Sequence, residues 1–372
     1  MKTALTELLG IDHPIVQTGM GYVSGPELTA ATSAAGAFGI LGAVTMSPAE
    51  LRDAIGAVKA RTDAPFGVNL RADQPDIIER VEMLARERVR VASFAMAPRA
   101  DVVARCKDAG IVVIPSIGAR RHAEKVAAMG VDAVLVQGGE GGGHTGSVAT
   151  TLLLPQVVDA VDIPVIAAGG FFDGRGLVAA LAYGAAGIAM GTRFLLTSDC
   201  TVPDAIKQLY LSKSVTDTVV TTKVDGWPHR VLRTDFIDHL ESGGTVRTFA
   251  RALANARRFR AASGTPWRAM LREGLAMRRN QDLSWGQVLM AANTPEFLRA
   301  AMVTGDPTYG VMASGQVVGV IQDLPSCAEL IERIAREADE VLERLERLGG
   351  LGGLGRSGRS GRPGRSDSDH SH

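Results

Sequence analysis

The chain of 372 residues is 46% hydrophobic and 5% aromatic, and its 40 basic and 40 acidic side chains leave a formal net charge of zero. This balance argues against a nucleic-acid-binding protein, and no apolar run approaches the roughly 18 residues that a membrane span needs. The three cysteines, Cys106, Cys200 and Cys327, are widely spaced without a CxxC motif, which predicts reduced thiols and no metal site. We expect a cytoplasmic protein that binds neither nucleic acid nor membrane; a homo-oligomer is compatible with this composition.

The first two-thirds of the chain repeats a short apolar run followed by an amphipathic helical segment. The runs are apolar throughout instead of alternating, which indicates strands buried on both faces, as in a parallel sheet. The predicted strands cover 15–18, 37–41, 66–70, 89–94, 111–116, 132–137, 163–168 and 186–190. The predicted helices between them cover 26–36, 48–61, 75–88, 98–109, 119–129, 150–161 and 174–183. Eight such repeats within about 190 residues predict a (β/α)8 TIM barrel, with an open doubly wound sheet as the competing fold.

The rest of the chain has a different pattern. Residues 203–300 mix helical segments with a predicted hairpin, in which 218–224 pairs with 230–234. Residues 309–321 are predicted to form a strand or loop that returns to the core, and Cys327–Arg347 is predicted to form a charged amphipathic helix.

These changes of pattern predict an α/β protein in three parts. Residues 1–200 form the barrel, which 305–348 completes, and a mostly helical lid over 201–304 is inserted after strand 8. From residue 349 to residue 372 Gly, Ser and Arg dominate, then Asp and His, with no apolar face. Such a tail has nothing to bury, so we expect it to be disordered.

The most glycine-rich segment follows the sixth predicted strand. Residues 138–146 hold six glycines and one histidine, His144. Glycine lacks a Cβ, so such a loop lets backbone N–H groups approach a ligand closely and holds the imidazole beside it. Because histidine takes up or releases a proton near neutral pH, His144 is the candidate catalytic acid or base. The loop also fits GxGxxG, but Asp162 precedes the next strand instead of ending it, which argues against a dinucleotide fold.

Glycine turns also follow the seventh and eighth predicted strands, the positions where these barrels favour a phosphate. Gly169 and Gly170 precede a helix opening near Asp173, and Gly191 with Thr192 follows strand 8. We expect unhindered backbone N–H groups at both helix entrances to bind a phosphate, although such glycines also simply form tight turns.

Two amide side chains stand in otherwise apolar strands. Asn69 stands near the end of the third predicted strand and Gln137 ends the sixth. An unpaired buried amide costs a few kcal/mol, so each either bonds neighbouring backbone or faces a polar ligand. Together with the glycine turns at the same rim, these amides predict flavin mononucleotide (FMN), whose ring edge offers carbonyl and imide groups.

Several motifs together resemble the nitronate monooxygenase (2-nitropropane dioxygenase-like) flavoproteins. They are 17–20, Asn69, 136–146, 167–170 and 189–192, within a resemblance that spans about residues 5–325. It implies an FMN-dependent (β/α)8 barrel with His144 on the substrate side of the flavin; a related branch reduces enoyl thioesters. The residues predicted to bind FMN are Gly19, Met20, Gly21, Asn69, Gln137, Gly142, Gly143, Gly169, Gly170, Ala189, Met190, Gly191, Thr192 and Gln316.

Longer segments resemble an actinobacterial branch of this family that acts in steroid C/D-ring catabolism. They cover 167–176, 190–199, 224–233 and 289–295. This resemblance implies dehydrogenation of a 5-hydroxy-7a-methyl-1-oxo-octahydroindene-4-carboxyl-CoA, with NAD as electron acceptor or donor. Oxidation of alkyl nitronates by molecular oxygen and reduction of an enoyl thioester are the alternatives.

Two departures from the ordinary family pattern lie beside His144. Gly141 stands where alanine is usual and Thr145 where a larger basic residue is common, so both alter the pocket and argue against nitronate oxidation. Residues 223–279 hold twelve Lys/Arg against five Asp/Glu. This surplus fits a surface for the phosphates of a CoA thioester, the predicted small-molecule partner, or a solvated face of lid helices.

Overall fold

The predicted barrel is confirmed by a computed structural model, which describes residues 1–242, 285–308 and 310–353. Its first nine strands are β1 (Ile15–Gln17), β2 (Phe38–Gly42), β3 (Phe66–Arg71), β4 (Val91–Ala95), β5 (Val112–Ile117), β6 (Val134–Gln137), β7 (Gly143–His144), β8 (Val165–Ala168) and β9 (Gly187–Met190). All except β7 are parallel and close in the order β1-β2-β3-β4-β5-β6-β8-β9. The bounds of the eight barrel strands differ from the predicted ones by at most two residues.

Helices alternate with these strands and cover the barrel. They are α1 (Ala4–Leu9), α2 (Pro26–Ala34), α3 (Pro48–Lys59), α4 (Ile77–Arg86), α5 (Ala100–Asp108), α6 (Arg120–Ala127), α7 (Thr150–Val158), α8 (Gly174–Ala182) and α9 (Thr192–Leu195). Pro26 and Pro48 open α2 and α3, where the missing N–H costs nothing, and Ser47 forms a capping box with Glu50. Each of the seven predicted helices exists but is one to four residues shorter than predicted, because residues at the ends leave the helical conformation.

The inside of the barrel is a packed core that includes α1. It contains Val16, Phe38, Ile40, Val91, Ile114, Leu135, Ile166 and Ala189. Leu5 and Leu9 of α1 belong to the same cluster, and a Cβ placed on Gly187, at the start of β9, would lie 2.7 Å from the Leu5 side chain. Helix α1 therefore closes the amino end of the barrel, and the carboxyl ends of the strands are left as the face for a ligand.

Truncation of the α1 plug is expected to destabilise the protein. Leu5 is fully buried, so Leu5→Ala should lower the free energy of unfolding by about 2–5 kcal/mol through lost burial and the cavity left behind. Leu152→Ala is the matched control, because Leu152 is 67% exposed and its truncation should change stability by less than about 0.5 kcal/mol. Equilibrium urea unfolding measures both values, and equal stabilities would show that α1 does not pack as described.

The described elements after the barrel strands are α10 (Asp204–Leu211), β10 (Thr218–Thr221), β11 (His229–Leu232), α11 (Asp235–Ser242), α12 (Trp285–Met302), a 3-10 helix (Gln316–Val320) and α13 (Cys327–Gly353). Strands β10 and β11 are antiparallel, which confirms the predicted hairpin, and Thr218 lies opposite Leu232. For 310–321 the loop alternative is correct: a single bridge joins Ala313 to Val231, and the 3-10 helix follows.

Helix α13 packs against α8 so closely that a Cβ on Gly174 would overlap the Ala338 backbone. It continues beyond the predicted end at Arg347. The boundaries proposed for barrel, lid and tail remain predictions, since residues 243–284 of the lid and 354–372 of the tail lie outside the described residues. None of the described helices combines the length and hydropathy that a membrane span requires.

Candidate active site

The carboxyl ends of the barrel strands bring several of the predicted cofactor residues together. A Cβ on Gly19 would overlap the side chain of Asn69, and one on Gly191 would lie 3.2 Å from the Met20 sulfur. Asn69 is buried, and its Nδ2 donates to the Ser93 hydroxyl over 3.3 Å. The loops after β1 and β9 therefore meet β3 at one rim, where a side chain on Gly19 would overlap Asn69 and one on Gly191 would be tightly packed.

The side chain of Gln137 holds the glycine loop through two hydrogen bonds to its backbone. Its Nε2 donates to the Gly142 carbonyl over 3.2 Å and to the His144 carbonyl over 2.9 Å. The Gln137 amide was predicted either to bond neighbouring backbone or to face a polar ligand. Its N–H groups bond the backbone, and a contact with FMN remains a prediction. A Cβ on Gly141 would lie 2.6 Å from Nε2 of Gln137, so the glycine at this position makes room for this arrangement.

Two further elements hold the same loop. The Glu140 carboxylate accepts hydrogen bonds from the Thr150 backbone N–H, over 3.0 Å, and from the Thr150 hydroxyl, over 2.7 Å. The Glu140 carbonyl accepts from the Gln316 N–H over 3.0 Å, and the neighbouring Gly315 N–H donates to the Thr192 hydroxyl over 3.0 Å. Predicted residues from the loops after β6 and β9 and from the 3-10 helix thus lie in one connected network.

The glycine turn after β8 fits a phosphate. Gly169 and Gly170 have φ of 96° and 86°, a left-handed backbone that other residues rarely adopt. A Cβ on Gly170 would meet only the Glu140 side chain, at 3.6 Å and beyond. The backbone N–H groups of Gly170 and, after β9, Gly191 donate to no acceptor within the described ranges. Free donors in two adjacent turns form a cradle that an anionic group fits.

The helix entrance after β8, in contrast, is already occupied, and the prediction of a free one there is wrong. Asp173 caps α8 by accepting from the Gly176 N–H over 2.9 Å. Glu337 of α13 accepts from the Gly174 N–H over 2.9 Å. Two carboxylates therefore take the N–H groups of Gly174 and Gly176 in the first turn of α8, and the candidate phosphate donors after β8 are those of the turn at Gly169–Gly170.

Not every predicted cofactor residue has its side chain or Cβ position at this rim. The Met190 side chain packs in the layer between barrel and helices, and its carbonyl accepts from the Thr18 N–H over 3.1 Å. A Cβ on Gly21 would face Thr45, at 3.3 Å. Ala189 is buried inside the barrel. Their predicted contacts with a cofactor remain predictions.

His144 lies on β7, the edge strand of a small antiparallel sheet. Strand β7 pairs with β11 so that His144 is opposite His229 and Gly143 is opposite Arg230. The Thr145 N–H adds a hydrogen bond to the carbonyl of residue 228 over 3.1 Å. The hairpin thus fixes the backbone of the glycine loop at its histidine, which the sequence alone did not indicate.

A carboxylate from the hairpin turn holds the His144 ring. Nε2 of His144 lies 2.6 Å from Oδ2 of Asp225, whose Oδ1 accepts from the Trp227 N–H over 3.1 Å. Burial raises the pKa of Asp225, but the bond from His144 and the nearby His229 outweigh it and leave that pKa well below its usual range. The carboxylate therefore stays ionised and accepts, so Nε2 carries the proton and Nδ1 of the 62% exposed side chain is free for proton transfer.

Sequence reasoning missed Asp225 and His229 as site residues. Asp225-Gly-Trp-Pro-His229 occupies the turn of the predicted hairpin, and two ionisable residues four apart in a turn were the available signal. Their position over the glycine loop depends on the pairing of β7 with β11, which no local pattern encodes.

Arg230 is a second residue that sequence reasoning missed. Its guanidinium donates twice to the Gly139 carbonyl, over 2.8 and 3.2 Å, and once to the Thr218 hydroxyl over 3.0 Å. Burial lowers the pKa of Arg230, while the charge of Glu140 opposes this shift. The side chain joins both hairpin strands to the start of the glycine loop, so it positions the loop that carries His144.

The nitronate monooxygenase family model matches residues 2–81 and 77–337 of the chain. A Mycobacterium tuberculosis protein named (3aS,4S,5R,7aS)-5-hydroxy-7a-methyl-1-oxo-octahydro-1H-indene-4-carboxyl-CoA dehydrogenase is 64% identical over 337 residues, which cover 90% of this chain and 95% of that protein. A Rhodococcus jostii protein of the same name is 59% identical over 334 residues, with the same coverage of 90% and 95%.

Solved structures show the same fold. FabK from Thermotoga maritima superposes with a TM-score of 0.78 at 34% identity, covering 94% of this chain and 99% of that one. A nitroalkane oxidase from Streptomyces ansochromogenes superposes with a TM-score of 0.71 at 27% identity, covering 92% of this chain and 100% of that one.

Proposed function

The chain belongs to the nitronate monooxygenase family, a family of flavoproteins, and from this premise we propose that it is an FMN-dependent dehydrogenase of a CoA thioester. The proposed substrate is a 5-hydroxy-7a-methyl-1-oxo-octahydroindene-4-carboxyl-CoA, in steroid C/D-ring degradation. Identities of 64% and 59% to two dehydrogenases named for this compound support it. The observation that carries the chemistry is the exposed His144 in the glycine loop, held there by Asp225.

The residues present fit FMN as the cofactor. The free N–H groups of Gly170 and Gly191 would hold its phosphate, and the rim of Gly19, Met20 and Asn69 would lie along its ring. When bound, an oxidised flavin supplies a hydride acceptor, and the protein supplies orientation, a base and polarising groups.

His144 is proposed to take the proton that dehydrogenation releases. The thioester acidifies the hydrogen on its α-carbon, and Nδ1 of His144 accepts it while Asp225 holds Nε2–H. The developing positive charge on the ring is stabilised by the ionised carboxylate, in the way that a buried Asp supports a catalytic imidazole. Because the ring is exposed, the proton passes to solvent afterwards. We further propose NAD as the final electron acceptor.

Reoxidation of the reduced enzyme tests the proposed function. The flavin is reduced anaerobically, and its absorbance is followed after NAD, an enoyl-CoA or oxygen is added. Faster reoxidation by NAD than by oxygen, together with turnover of the CoA thioester, supports the dehydrogenase. Rapid oxygen-dependent turnover of a simple nitronate, with no CoA ester accepted, would overturn it in favour of the monooxygenase. Preferred reoxidation by an enoyl-CoA would make the enzyme a reductase.

Asp225→Asn is expected to impair turnover without releasing the flavin. An amide can donate to Nε2 and so shift the ring proton onto Nδ1, which removes the proposed base. We expect kcat to fall, but by less than the roughly 10²–10⁴-fold expected for loss of the imidazole itself. Asp225→Glu, which keeps the carboxylate, is the control and should recover part of the rate. An unchanged kcat in Asp225→Asn would remove Asp225 from the mechanism.

The basic surplus of residues 223–279 is proposed to bind the CoA phosphates, although 243–279 lie outside the described residues. Replacement of Arg257 and Arg258 by Glu should raise KM for the CoA thioester, and added salt should shrink the effect because exposed charges are screened beyond about 8–10 Å. A truncated thioester without the nucleotide is the control substrate. Equal losses on both substrates would show that the replacement acts through folding instead of phosphate contact.

A further inference from the structure

Three potential metal ligands meet above the glycine loop. One potential ligand atom from each of His144, Asp225 and His229 lies within 4.8 Å of the other two. Oδ2 is 2.6 Å from Nε2 of His144 and 3.6 Å from Nδ1 of His229. A tetrahedral zinc site with bonds of about 2.0–2.1 Å places neighbouring ligand atoms about 3.3 Å apart. The separations between the three ligand atoms would therefore have to change by about 1.5 Å or less for all three to bind one ion.

His229 supplies an independent sign of a ligand at this place. Its side chain is 5% exposed, and Nδ1 is buried with no hydrogen-bond partner among the residues that the structure describes. Its contact with Oδ2 of Asp225, at 3.6 Å, is too long for a hydrogen bond, so this buried nitrogen has lost its hydration and gained only a weak electrostatic contact, which is uncommon in folded proteins. A cation placed between Nδ1 and the Asp225 carboxylate would satisfy it.

We propose that His144, Asp225 and His229 form a binding site for a divalent transition-metal ion, with Zn²⁺ as the best match. Two imidazoles and one carboxylate are a ligand set that suits zinc, whose sites with three protein ligands keep a fourth position open to water. The exposed ring of His144 leaves the cluster open to solvent, so the ion can exchange.

Binding of the metal would switch off the proton transfer described for His144. Coordination by Nε2 requires that nitrogen to lose its proton, and the ring then carries its proton on Nδ1. Nδ1 is the atom proposed to accept the substrate proton, so the metal-bound enzyme would lack its base. This inhibitory consequence rests on the proposed function, whereas the binding of zinc does not.

Direct zinc titration of the flavin-loaded, full-length protein tests the site. Because His370 and His372 at the end of the chain also offer imidazoles, the titration uses the His370→Ala/His372→Ala variant alongside the unaltered protein. Isothermal titration calorimetry should show one equivalent of Zn²⁺ bound per chain in both. His229→Gln, which leaves His144 and Asp225 in place, should weaken binding by at least about 10–100-fold. His122→Gln, on the exposed surface of α6, is the control and should bind as the parent does.

Several outcomes would overturn the proposal: no stoichiometric binding, an unchanged affinity in His229→Gln, or a signal that disappears with His370 and His372. Flavin absorbance and melting temperature show whether each variant is folded, and Asp225→Asn provides a second test if His229→Gln is not. Reversible loss of turnover with Zn²⁺, restored by a chelator, would establish the inhibition. If zinc binds but no CoA thioester is turned over, the metal site stands and the proposed function fails.

Discussion

His144→Ala is expected to retain FMN and lose almost all turnover. The described contacts of the imidazole are with the Asp225 carboxylate and the His229 ring, and not with the glycine cradle of Gly170 and Gly191. Its removal should therefore leave the cofactor site intact while it takes away the proton acceptor. General acid–base catalysis contributes about 10²–10⁴-fold, so kcat should fall by that factor.

Two measurements and a control variant identify the cause of this loss. The ratio of flavin to protein absorbance should match that of the parent, and the melting temperature should change little, because the replaced side chain is exposed. His122→Ala is the control, since it removes an exposed imidazole from α6. If His144→Ala stays within a few-fold of the parent in kcat/KM, His144 has only a structural part in the loop.

Gly170→Val is expected to yield protein without flavin. A valine at φ of 86° strains the backbone, and its side chain would fill the turn in which the Gly170 N–H faces the proposed phosphate position. Loss of the backbone approach to the phosphate should abolish flavin binding, so the purified variant should be colourless.

Gly130→Val separates the two effects of that replacement. Gly130 has a φ of 84°, and a Cβ placed on it meets no atom within 4 Å. It lies in the loop between α6 and β6, at the amino end of the barrel strands. The rim with the cradle is at the opposite, carboxyl end of these strands. Gly130→Val therefore carries the same backbone strain without touching the cradle. If both variants lose flavin, strain is the cause; full flavin occupancy in Gly170→Val would show that the phosphate lies elsewhere.

The two replacements affect groups that are held by different parts of the protein. Asp225 and Arg230 act on the glycine loop from outside the barrel, one on the His144 ring and the other on the Gly139 carbonyl. The barrel rim supplies the cradle for a cofactor, and the hairpin supplies the groups that orient the base. A proton-transfer residue and its partner thus come from structural units that are far apart along the chain.

The amino-acid sequence by itself determined the barrel and the location of its ligand face. Eight strands appear within two residues of their predicted positions because runs that are apolar on both faces can be buried only in a parallel sheet covered by helices. The glycine loop, the turns after the last two barrel strands and the hairpin were predictable for a similar reason. Their local composition limits the backbone conformations that they can adopt.

Only the tertiary structure decided which side chains meet at the loop. His144 and Asp225 are 81 residues apart in sequence, and Glu337, which occupies the entrance of α8, is 163 residues from its partner Gly174. Such contacts depend on how the hairpin and α13 pack against the barrel. The periodicity of apolar side chains predicts the elements themselves, but not how they pack against each other. For the same reason the sequence predicted a free helix entrance where a carboxylate from α13 lies. It also identified one histidine of a cluster whose other two members become neighbours only when β7 pairs with β11.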